Sequence, residues 1–505
     1  MRWKKGLISL MSLTVVTSLA LTGCSDQEAS NKNGETVEPG ENFNATGFPV
    51  VDEKITLTVK GGYNQTNGAK WNEKKLIQQI EEKTNIHADW QLTPVQGWGD
   101  KQNLLLAGGD LPDVMLNLNL GNITKYGAQG ALIPLEDLIK KYAPNLSRIF
   151  EEYPAVRRLV TSPDGHIYIL PRVDMSPVEI SPGNNLWINK EWLKNVGMDM
   201  PTTTAEFKKV LEAFKTEDAN GNGDPNDEIP FSFIWGDSGG RSNSGLVGAI
   251  YGSFGIVNTR RENTLVVDGK VKYVPIQPEL KKGIKYLHSL YAKGLIDPEV
   301  FSQESPQYVA KLSAKTPKVG VFAGAGPASM VNSDSKWDYT LINPPLKGPS
   351  GSQIKASQFY YMNRRAIAIT SANEHPAATI RWLDQIYDPE MSWKFRYGPN
   401  GIKQLDNGKW KITPPEEGYN PAEWQYKESP VNDFAYAITP DMAENLIYPD
   451  VPHAKSMEKR PEFLNRVKEY FHREWKFPLI LYSAEELDEL DRYKTDIQNY
   501  AQQTE

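Results

Sequence analysis

The sequence predicts an α/β fold in which helices cover sheets of mainly parallel strands. Residues 55–59 alternate apolar and polar side chains, as a half-buried strand does, and apolar residues then recur at helical spacing in 76–80. A second apolar run, 111–116, follows a helix-like stretch at 103–107. Because strands and helices that alternate along a chain form parallel sheets with helices on both faces, we expect that architecture here.

Further helices are predicted from the residues at their ends. Residues 132–142 form a helical pattern that a proline ends at position 144. Thr203 and Glu206 form a capping box at the start of the next clear helix. One face of that helix is apolar, with Phe207, Val210, Leu211 and Phe214. Ser483 and Glu486 repeat the capping box before a terminal amphipathic helix.

Composition excludes several classes of function. The 505 residues carry 63 acidic and 56 basic side chains, a formal net charge of −7, so no net positive field exists to hold nucleic acid. One cysteine cannot form an intramolecular disulfide or an all-cysteine zinc site, and six histidines limit metal and acid–base chemistry. A globular protein with a large core and without a nucleic-acid partner is expected.

The start of the chain has the composition of an export signal. Basic residues at positions 2, 4 and 5 precede the apolar stretch 6–20, which is too short to cross a bilayer as a helix with polar flanks. Residues 21–24, LTGC, resemble a bacterial lipobox, in which the cysteine thiol takes a diacylglycerol. An ordinary signal peptide that happens to contain a cysteine is the alternative.

The lipobox interpretation predicts where the mature protein works. Residues 1–23 would be removed as the signal peptide, and the two acyl chains on Cys24 would suffice for stable membrane anchoring. Residues 24–48 are mostly polar or glycine and are predicted to be a disordered tether. We therefore expect a lipid-anchored protein on the extracytoplasmic face of the cell membrane.

Short motifs follow one another in a characteristic order along the mature chain. They are GDLPDV at 109–114, PLEDLI at 134–139, YAPN at 142–145, GHIYILP at 165–171, NKEWL at 189–193, PTT at 201–203 and YGPNG at 397–401. In order and spacing the set resembles the extracellular solute-binding proteins of carbohydrate ABC importers, family 1. The most similar subgroup is the large Gram-positive lipoproteins of the LplA type.

The resemblance implies a two-lobed, type II periplasmic-binding-protein-like fold with a ligand cleft between the lobes. By analogy, one lobe takes in residues 49–172 and 353–420, and the other takes in 173–352 and 421–505. Gly165–Pro171 would be an early crossing between them. The implied function is capture of a saccharide, with an oligosaccharide expected, by a monomer that delivers it to the permease subunits of the importer.

A loop rich in Asp and Asn predicts a structural Ca²⁺ site. Oxygen-bearing side chains at positions 1, 3 and 5, with glycine at 6, allow a loop to wrap a hard cation as in an EF-hand. The predicted ligands are Asp218, Asn220, Asn222, Asp224 through its carbonyl, and Asp227 or Glu228. Position 12 is Ile229, a departure from the EF-hand pattern, and a metal-free turn is the alternative. The solute-binding family carries a similar calcium loop, which ends in Asp-Glu-Ile-Pro.

Aromatic and amide side chains in polar contexts are the predicted ligand-binding residues. Flat rings cover the faces of sugar rings while amides and carboxylates bond the hydroxyl groups. The candidates are Tyr63, Trp98, Asn117, Asn119, Trp187, Trp235, Tyr360 and Tyr361. Trp235 and Tyr63 are the predicted stacking residues, whereas Trp192, beside Leu193, is expected in the core.

No catalytic residues are predicted. The segment 236–240, GDSGG, fits GxSxG and resembles the nucleophile segment of trypsin-like proteases, but no histidine lies in a matching partner motif for Ser238. His166 is expected to be structural. The alternatives to a saccharide-binding protein are a secreted glycoside hydrolase and a binder of a non-sugar solute such as a peptide.

Overall fold

The computed structural model describes most of the chain beyond residue 39. The described ranges are 40–64, 68–118, 123–175, 185–235, 250–257, 264–324, 339–355, 363–413, 426–431, 433–447, 468–470, 480–483, 485–490, 492–493 and 496. Among these residues no helix combines the length and the apolar character that a membrane crossing requires.

Strands and helices alternate from residue 55 to residue 128, as predicted. The strands are β1 Ile55–Tyr63, β2 Ile86–Pro94, β3 Val114–Leu118, β4 Leu170–Asp174, β5 Asn185–Asn189, β6 Ile229–Ser232, β7 Thr264–Val267, β8 Lys270–Tyr273, β9 Val319–Gly324, β10 Tyr339–Leu341, β11 Asn363–Ile369, β12 Ile402–Gln404, β13 Trp410–Ile412, β14 Ala437–Ile438 and β15 Leu446–Ile447. The helices are α1 Lys75–Thr84, α2 Val95–Gly108, α3 Ile123–Ala128, α4 Glu136–Tyr142, α5 Pro144–Glu152, α6 Pro154–Val160, α7 Lys190–Asn195, α8 Thr204–Thr216, α9 Pro278–Tyr291, α10 Ser305–Leu312, α11 Pro376–Asp384, α12 Pro389–Tyr397 and α13 Pro440–Glu444.

The first sheet has the described strand order β14-β4-β11-β3-β1-β2. β1 is parallel to β2 and β3, and β14 is parallel to β4, but β11 is antiparallel to both of its neighbours. The sheet is therefore mixed rather than parallel throughout. The carboxyl ends of β1, β2, β3, β4 and β14 all lie on one side, which we call the first carboxyl edge.

The second sheet has the described order β10-β5-β9-β6 and repeats this arrangement. β6 is parallel to β9, while β5 runs antiparallel to β9 and β10. The carboxyl ends of β6, β9 and β10 share a side, which we call the second carboxyl edge. In the first sheet the reversed strand, β11, comes after a long excursion of the chain through the second sheet, which the local alternation of strands and helices does not reveal. In the second sheet the reversed strand, β5, is the first in the chain.

Each sheet has its own hydrophobic core. Buried residues of the first core come from 50–175 and from 366–438. Those of the second core come from 186–346, and a smaller group that includes Phe322 and Tyr308 also packs on the second sheet. β4 belongs to the first sheet and contains Pro171, so the chain leaves that sheet after Asp174, later than the predicted crossing.

Several local predictions are confirmed by the structure. Thr203 and Glu206 make both hydrogen bonds of a capping box at the start of α8. The apolar face of α8 is buried, and Trp192 is 1% exposed in the second core. The helix expected over 132–142 begins at Glu136, because Leu132 bridges to Thr370 as an extended residue.

The last part of the predicted tether makes specific contacts. Phe43 packs edge-on against Tyr142 with ring centroids 5.2 Å apart. The Arg381 guanidinium donates hydrogen bonds to the main-chain oxygens of Asn44 and Gly47. Residues 40–48 are thus held against the first core. Burial of aromatic side chains there offsets the entropy lost on ordering the segment, which a purely polar segment could not do.

Candidate functional site

Two predicted ligand-binding residues meet at the first carboxyl edge. Tyr63 is the last residue of β1 and is half-buried against the first core. Asn117, in β3, adopts a left-handed backbone conformation with φ of 56°, which asparagine tolerates better than most residues. Its Nδ2 donates a hydrogen bond of 2.5 Å to the main-chain oxygen of Gly62, so the ends of β1 and β3 are joined beside Tyr63.

Trp98 lies beneath this junction. Its side chain is buried, and its Nε1 donates a 3.0 Å hydrogen bond to the main-chain oxygen of Asn117. A Cβ atom at Gly62 would approach the Trp98 ring to 2.8 Å, so the close packing requires a glycine at that position. In this arrangement the Trp98 ring presents no free face to a ligand and instead supports Asn117.

Asp433 completes the junction and is a residue that the sequence analysis missed. It is 3% exposed, and its Oδ2 accepts a 2.8 Å hydrogen bond from the main-chain N–H of Asn64. Its main-chain oxygen accepts a second hydrogen bond from Asn117 Nδ2. These residues are more than 300 positions apart in sequence, so no local pattern could have placed Asp433 here.

A buried lysine accompanies Asp433. Lys74 is 4% exposed, and its Nζ donates a hydrogen bond to the main-chain oxygen of Tyr426. Burial lowers the pKa of Lys74 to about 8, against the opposing effect of the Asp433 carboxylate. The pair fixes the segment around 426–433 to the start of α1.

The single oxygen of the Asn117 side-chain amide has no donor among the described residues. Asn117 Oδ1 is shielded from solvent and receives no hydrogen bond from any described residue. A buried acceptor without a donor is unfavourable by about 1–3 kcal/mol, so an incoming hydroxyl or amide would be stabilised there. This is a polar group at a strand end, where open α/β sheets bind ligands.

At the second carboxyl edge the structure places Trp235. It follows β6, is half-buried, and its main-chain N–H donates a 2.8 Å hydrogen bond to the oxygen of Val300. Its ring lies 6.3 Å from Phe233 and 5.3 Å from Phe301, measured between centroids. Trp235 is therefore anchored on its inner side by the second core.

Trp187 lies within β5 and is held on two sides. Its Nε1 donates a 3.1 Å hydrogen bond to the main-chain oxygen of Gly324, and its ring stacks on Phe322 at 6.3 Å. It is partly exposed. Asn119, Tyr360, Tyr361, Ser238 and Cys24 lie outside the described residues.

The acidic loop after α8 is held together by hydrogen bonds from its main-chain N–H groups to its side-chain oxygens. Asp218 accepts hydrogen bonds from the main-chain N–H groups of Asn222 and Gly223, at 3.0 and 2.8 Å. The Asn222 Oδ1 in turn accepts one from the N–H of Asp224 at 2.7 Å. Positive φ at Gly221 and Gly223 closes the turn.

Asp227 and Glu228 close the loop from the other side. Asp227 accepts hydrogen bonds from the side-chain amides of Asn220 and Asn222. Glu228 Oε1 accepts one from the Asn220 N–H at 3.4 Å, while its Oε2 is buried without a donor among the described residues. Burial raises the pKa of Glu228.

The donor set of this loop fits calcium rather than a softer metal. Nowhere in the described ranges do three or more His, Cys, Asp and Glu side chains lie in a group suited to a metal ion. The loop offers carboxylate, amide and main-chain oxygens instead, which is the mixture that Ca²⁺ accepts. The buried Glu228 Oε2 is an oxygen that a cation would satisfy.

His166, predicted to be structural, follows a turn at residues 163–165 and contacts a carboxylate. Its Nδ1 lies 2.6 Å from Glu136 Oε1, and Glu136 Oε2 also accepts the N–H of Ile167 at 3.1 Å. The hydrogen bond with Glu136 raises the pKa of His166. The contact ties the turn before β4 to α4.

Comparison with known protein families gives one match over most of the chain. Residues 65–392 match the model of the bacterial extracellular solute-binding protein family. The chain belongs to this family. The resemblance found in the short motifs is thereby confirmed.

Individual relatives support the assignment. The fructooligosaccharide ABC transporter substrate-binding protein FusA of Streptococcus pneumoniae is 31% identical over 517 residues, which cover 97% of this chain and 90% of FusA. A solved structure of FusA in complex with kestose has a TM-score of 0.76 and 31% identity, covering 88% of this chain and 90% of FusA. An EF-hand mutant of FusA in complex with fructo-nystose gives a TM-score of 0.76 and 30% identity, with the same coverage.

The fold of this solute-binding protein is the predicted one. It is a type II periplasmic-binding-protein-like fold with mixed α/β sheets in two lobes. The relatives are binding proteins of ABC transporters. Members of the family act outside the cytoplasm, which agrees with the export signal.

Proposed function

We propose that this protein captures an oligosaccharide outside the cytoplasmic membrane and delivers it, unaltered, to an ABC importer. The observation that carries the proposal is the junction of Tyr63, Asn117 and Asp433 at the first carboxyl edge. It combines a partly exposed ring with a buried oxygen acceptor that has no protein donor among the described residues. The likeness to FusA suggests fructooligosaccharides as the first ligands to test.

Tyr63 and Trp235 would stack on sugar rings from opposite lobes. Both are half-buried and fixed by the core behind them, so little side-chain entropy is lost on binding. Asn117 Oδ1 would accept a hydrogen bond from a sugar hydroxyl. Trp98 would support Asn117, and Trp187, within β5, would contact the ligand from the second sheet. Asn119, Tyr360 and Tyr361 remain candidates from sequence alone.

The lobe boundaries are part of the proposal. We infer that residues 49–175 and 353–420 form the first lobe and that the residues from there to 352 belong to the second. The first boundary lies beyond the predicted 172, because β4 runs to Asp174 and Met175 is buried in the first core. We further place residues 433–447 in the first lobe, because β14 pairs with β4 and Phe434 stacks on Phe395 with centroids 5.0 Å apart. A ligand that contacts both lobes would favour the closed state by its differential affinity.

One structural Ca²⁺ is proposed for the loop after α8. Asp218, Asn220, Asn222, Asp224 through its carbonyl, and Asp227 or Glu228 would hold it. The ion would stabilise the connection between α8 and β6 by binding the carboxylate, amide and main-chain oxygens that the loop supplies. FusA is a relative for which an EF-hand mutant has been made, which supports this proposal.

We infer the location from the lipobox and the partners from the solute-binding family. Cys24 would carry the lipid anchor, and residues beyond it would tether the protein to the membrane, where it works as a monomer with permease subunits. Capture and release require neither a nucleophile nor a proton donor.

Titration calorimetry of the mature protein with kestose and a panel of other oligosaccharides tests the proposal. Tyr63→Ala and Trp235→Ala should each weaken binding of the recognised sugar by about 1–3 kcal/mol, the value of a stacked ring. Phe48→Ala is the matched control, because Phe48 is a half-exposed ring before β1, at the end opposite the first carboxyl edge. Equal affinity of all four proteins would contradict the assigned residues.

Chromatography of the same mixtures separates binding from hydrolysis. The sugar should be recovered at its original length after prolonged incubation. Shortened products, lost on replacing a single carboxylate, would identify a glycoside hydrolase instead.

A further inference from the structure

An exposed aromatic row continues outward from Trp235. Phe301, at the end of the short 3-10 helix Pro298–Phe301, lies 5.3 Å from Trp235 and 5.5 Å from Tyr291, measured between ring centroids. Phe301 is 56% exposed and Tyr291 is 39% exposed. We call these three residues the aromatic row. Large rings clustered in water on a secreted protein indicate a binding surface rather than packing.

The row is rigid because a buried polar network lies under it. Asp297 is 3% exposed, and its Oδ2 accepts 2.7 Å hydrogen bonds from Ser232 Oγ and Lys311 Nζ. Its Oδ1 accepts a hydrogen bond from the main-chain N–H of Glu299. Asp297 thereby caps the start of the helix that carries Phe301. Gln303 Nε2 donates to the main-chain oxygen of Phe233 at 2.7 Å. Phe301 is therefore held in place before any ligand arrives.

The surroundings of the row are those of a carbohydrate site. Glu299 is exposed beside Phe301, and its carboxylate pairs with Lys311 at 2.6 Å. Charged side chains next to open ring faces can bind the hydroxyl groups of a sugar. The centres of protein–protein interfaces, by contrast, are depleted of charged side chains. The row also begins at Trp235, which follows β6 at the second carboxyl edge, so it is continuous with the proposed ligand site.

We propose that Phe301, bordered by Tyr291, stacks on sugar residues that extend beyond Trp235, so that the protein prefers longer oligosaccharides. The inference rests on the proposed saccharide function and adds the determinant of chain length. The edge-to-face contact of Tyr291 with Phe301, at 72° between ring planes, leaves Tyr291 as a lateral support rather than a second platform. The main stacking contact is therefore assigned to Phe301.

Affinity measured against chain length tests this inference. The probes are the shortest and the longest saccharides of one series that wild type binds, beginning with kestose and longer fructooligosaccharides. Phe301→Ala should weaken binding of the long saccharide about fivefold or more, the low end of the effect expected for Tyr63 and Trp235, and leave the short one unchanged. Phe301→Leu should behave like the alanine variant because it lacks a flat face, and Phe301→Trp should restore the preference.

Ile276→Ala is the matched control, since Ile276 is 73% exposed and lies outside the aromatic row. Equal losses for short and long saccharides, or no preference for length in wild type, would overturn the inference while leaving saccharide capture intact. Loss of uptake in cells at unchanged affinity would make the row a docking surface for the importer and would also overturn it. Wild type that binds no saccharide would instead refute the proposed function, and this inference with it.

Discussion

The Asn117 side chain lies between the main-chain oxygens of Gly62 and Asp433, with Nδ2 at 2.5 and 3.3 Å from them. Asp433 belongs to a segment that enters the first core more than 300 residues after β3. One amide therefore joins the beginning and the end of the first lobe at the site where we place the ligand.

Substitution of Asn117 should affect stability and binding in separable ways. Asn117→Ala should lower the free energy of unfolding by about 1–3 kcal/mol, because two buried oxygens lose their donor. Asn117→Gly should be less destabilising by about 1 kcal/mol, since glycine adopts positive φ without strain. Both variants should bind sugar more weakly. Denaturant unfolding and calorimetry measure the two effects, and equal stability of Ala and Gly variants would contradict the strain argument.

The Asn117 site also shows which site residues can be predicted from the sequence. The apolar run that ends at Leu116 placed Asn117 near a strand end, and Tyr63 was predicted from its polar, glycine-bearing context. The structure brings the two together through parallel pairing of β1 and β3. Asp433 and Lys74 could not be found, because they are joined to the site by contacts across the whole chain. The sequence did not predict that Trp98 is buried, because its neighbours in the chain are glycine or polar residues. In the structure those neighbours lie on the exposed side.

Calcium removal should destabilise the protein through the loop after α8. A chelator should lower the melting temperature of wild type, and Asp218→Ala should abolish that response because a ligand oxygen is lost. Glu217→Ala is the control, since Glu217 is exposed and precedes the first ligand. A wild type whose melting temperature ignores both chelator and added calcium would favour the metal-free turn.

The pH dependence of calcium binding is part of the same prediction. Because burial raises the pKa of Glu228, the carboxyl holds its proton to a higher pH than an exposed glutamate. Calcium must displace that proton, so the affinity for calcium should fall as the pH is lowered through the range in which Glu228 titrates. Glu228→Gln should flatten this dependence, as calorimetry at several pH values would show.

Asp384 should make the stability of the first lobe depend on pH. At the end of α11, it accepts hydrogen bonds from the main-chain N–H groups of Asn145 and Leu146 at the start of α5, at 3.1 and 2.9 Å. Burial raises its pKa to about 6. Between about pH 4 and pH 6, Asp384 therefore keeps its proton in the native state but has lost it in the unfolded chain. The free energy of unfolding should fall as the pH rises through this range.

Two variants separate the charge of Asp384 from its hydrogen bonds. Asp384→Asn should remove this part of the pH dependence, because the amide does not titrate. Asp384→Ala should lower the free energy of unfolding by about 1–3 kcal/mol at all pH values, since two N–H groups lose their acceptor. Unfolding by denaturant between pH 4 and 7 measures both, and parallel pH curves for wild type and Asp384→Asn would disprove the assignment.

Cys24 should be required for membrane retention. Cys24→Ala should release the protein from the membrane fraction and abolish labelling by a lipid precursor, because the chain has no other cysteine. Cys24→Ser is a second variant of nearly the same size with the same expected result. Continued membrane retention of both would show that a different element holds the protein.

Sequence patterns predicted the structure correctly where it depends on residues close together in the chain. The Thr203–Glu206 capping box and the apolar face of α8 form as predicted, because both depend on residues within four positions. The direction of β11 was not predictable, since it depends on where the chain returns after the second sheet. The contacts of residues 40–48 were also missed, because two phenylalanines in a polar segment carry no periodic pattern.

The division of the two cores along the chain has a consequence for folding at export. The second core comes from one continuous stretch, 186–346, whereas the first needs both 50–175 and 366–438. β11 lies between β3 and β4, so those two strands keep unpaired edges until residue 369 has emerged. A chain that leaves the membrane N-terminus first therefore completes its second lobe before its first. During that interval the incomplete first sheet is the part of the protein most exposed to aggregation.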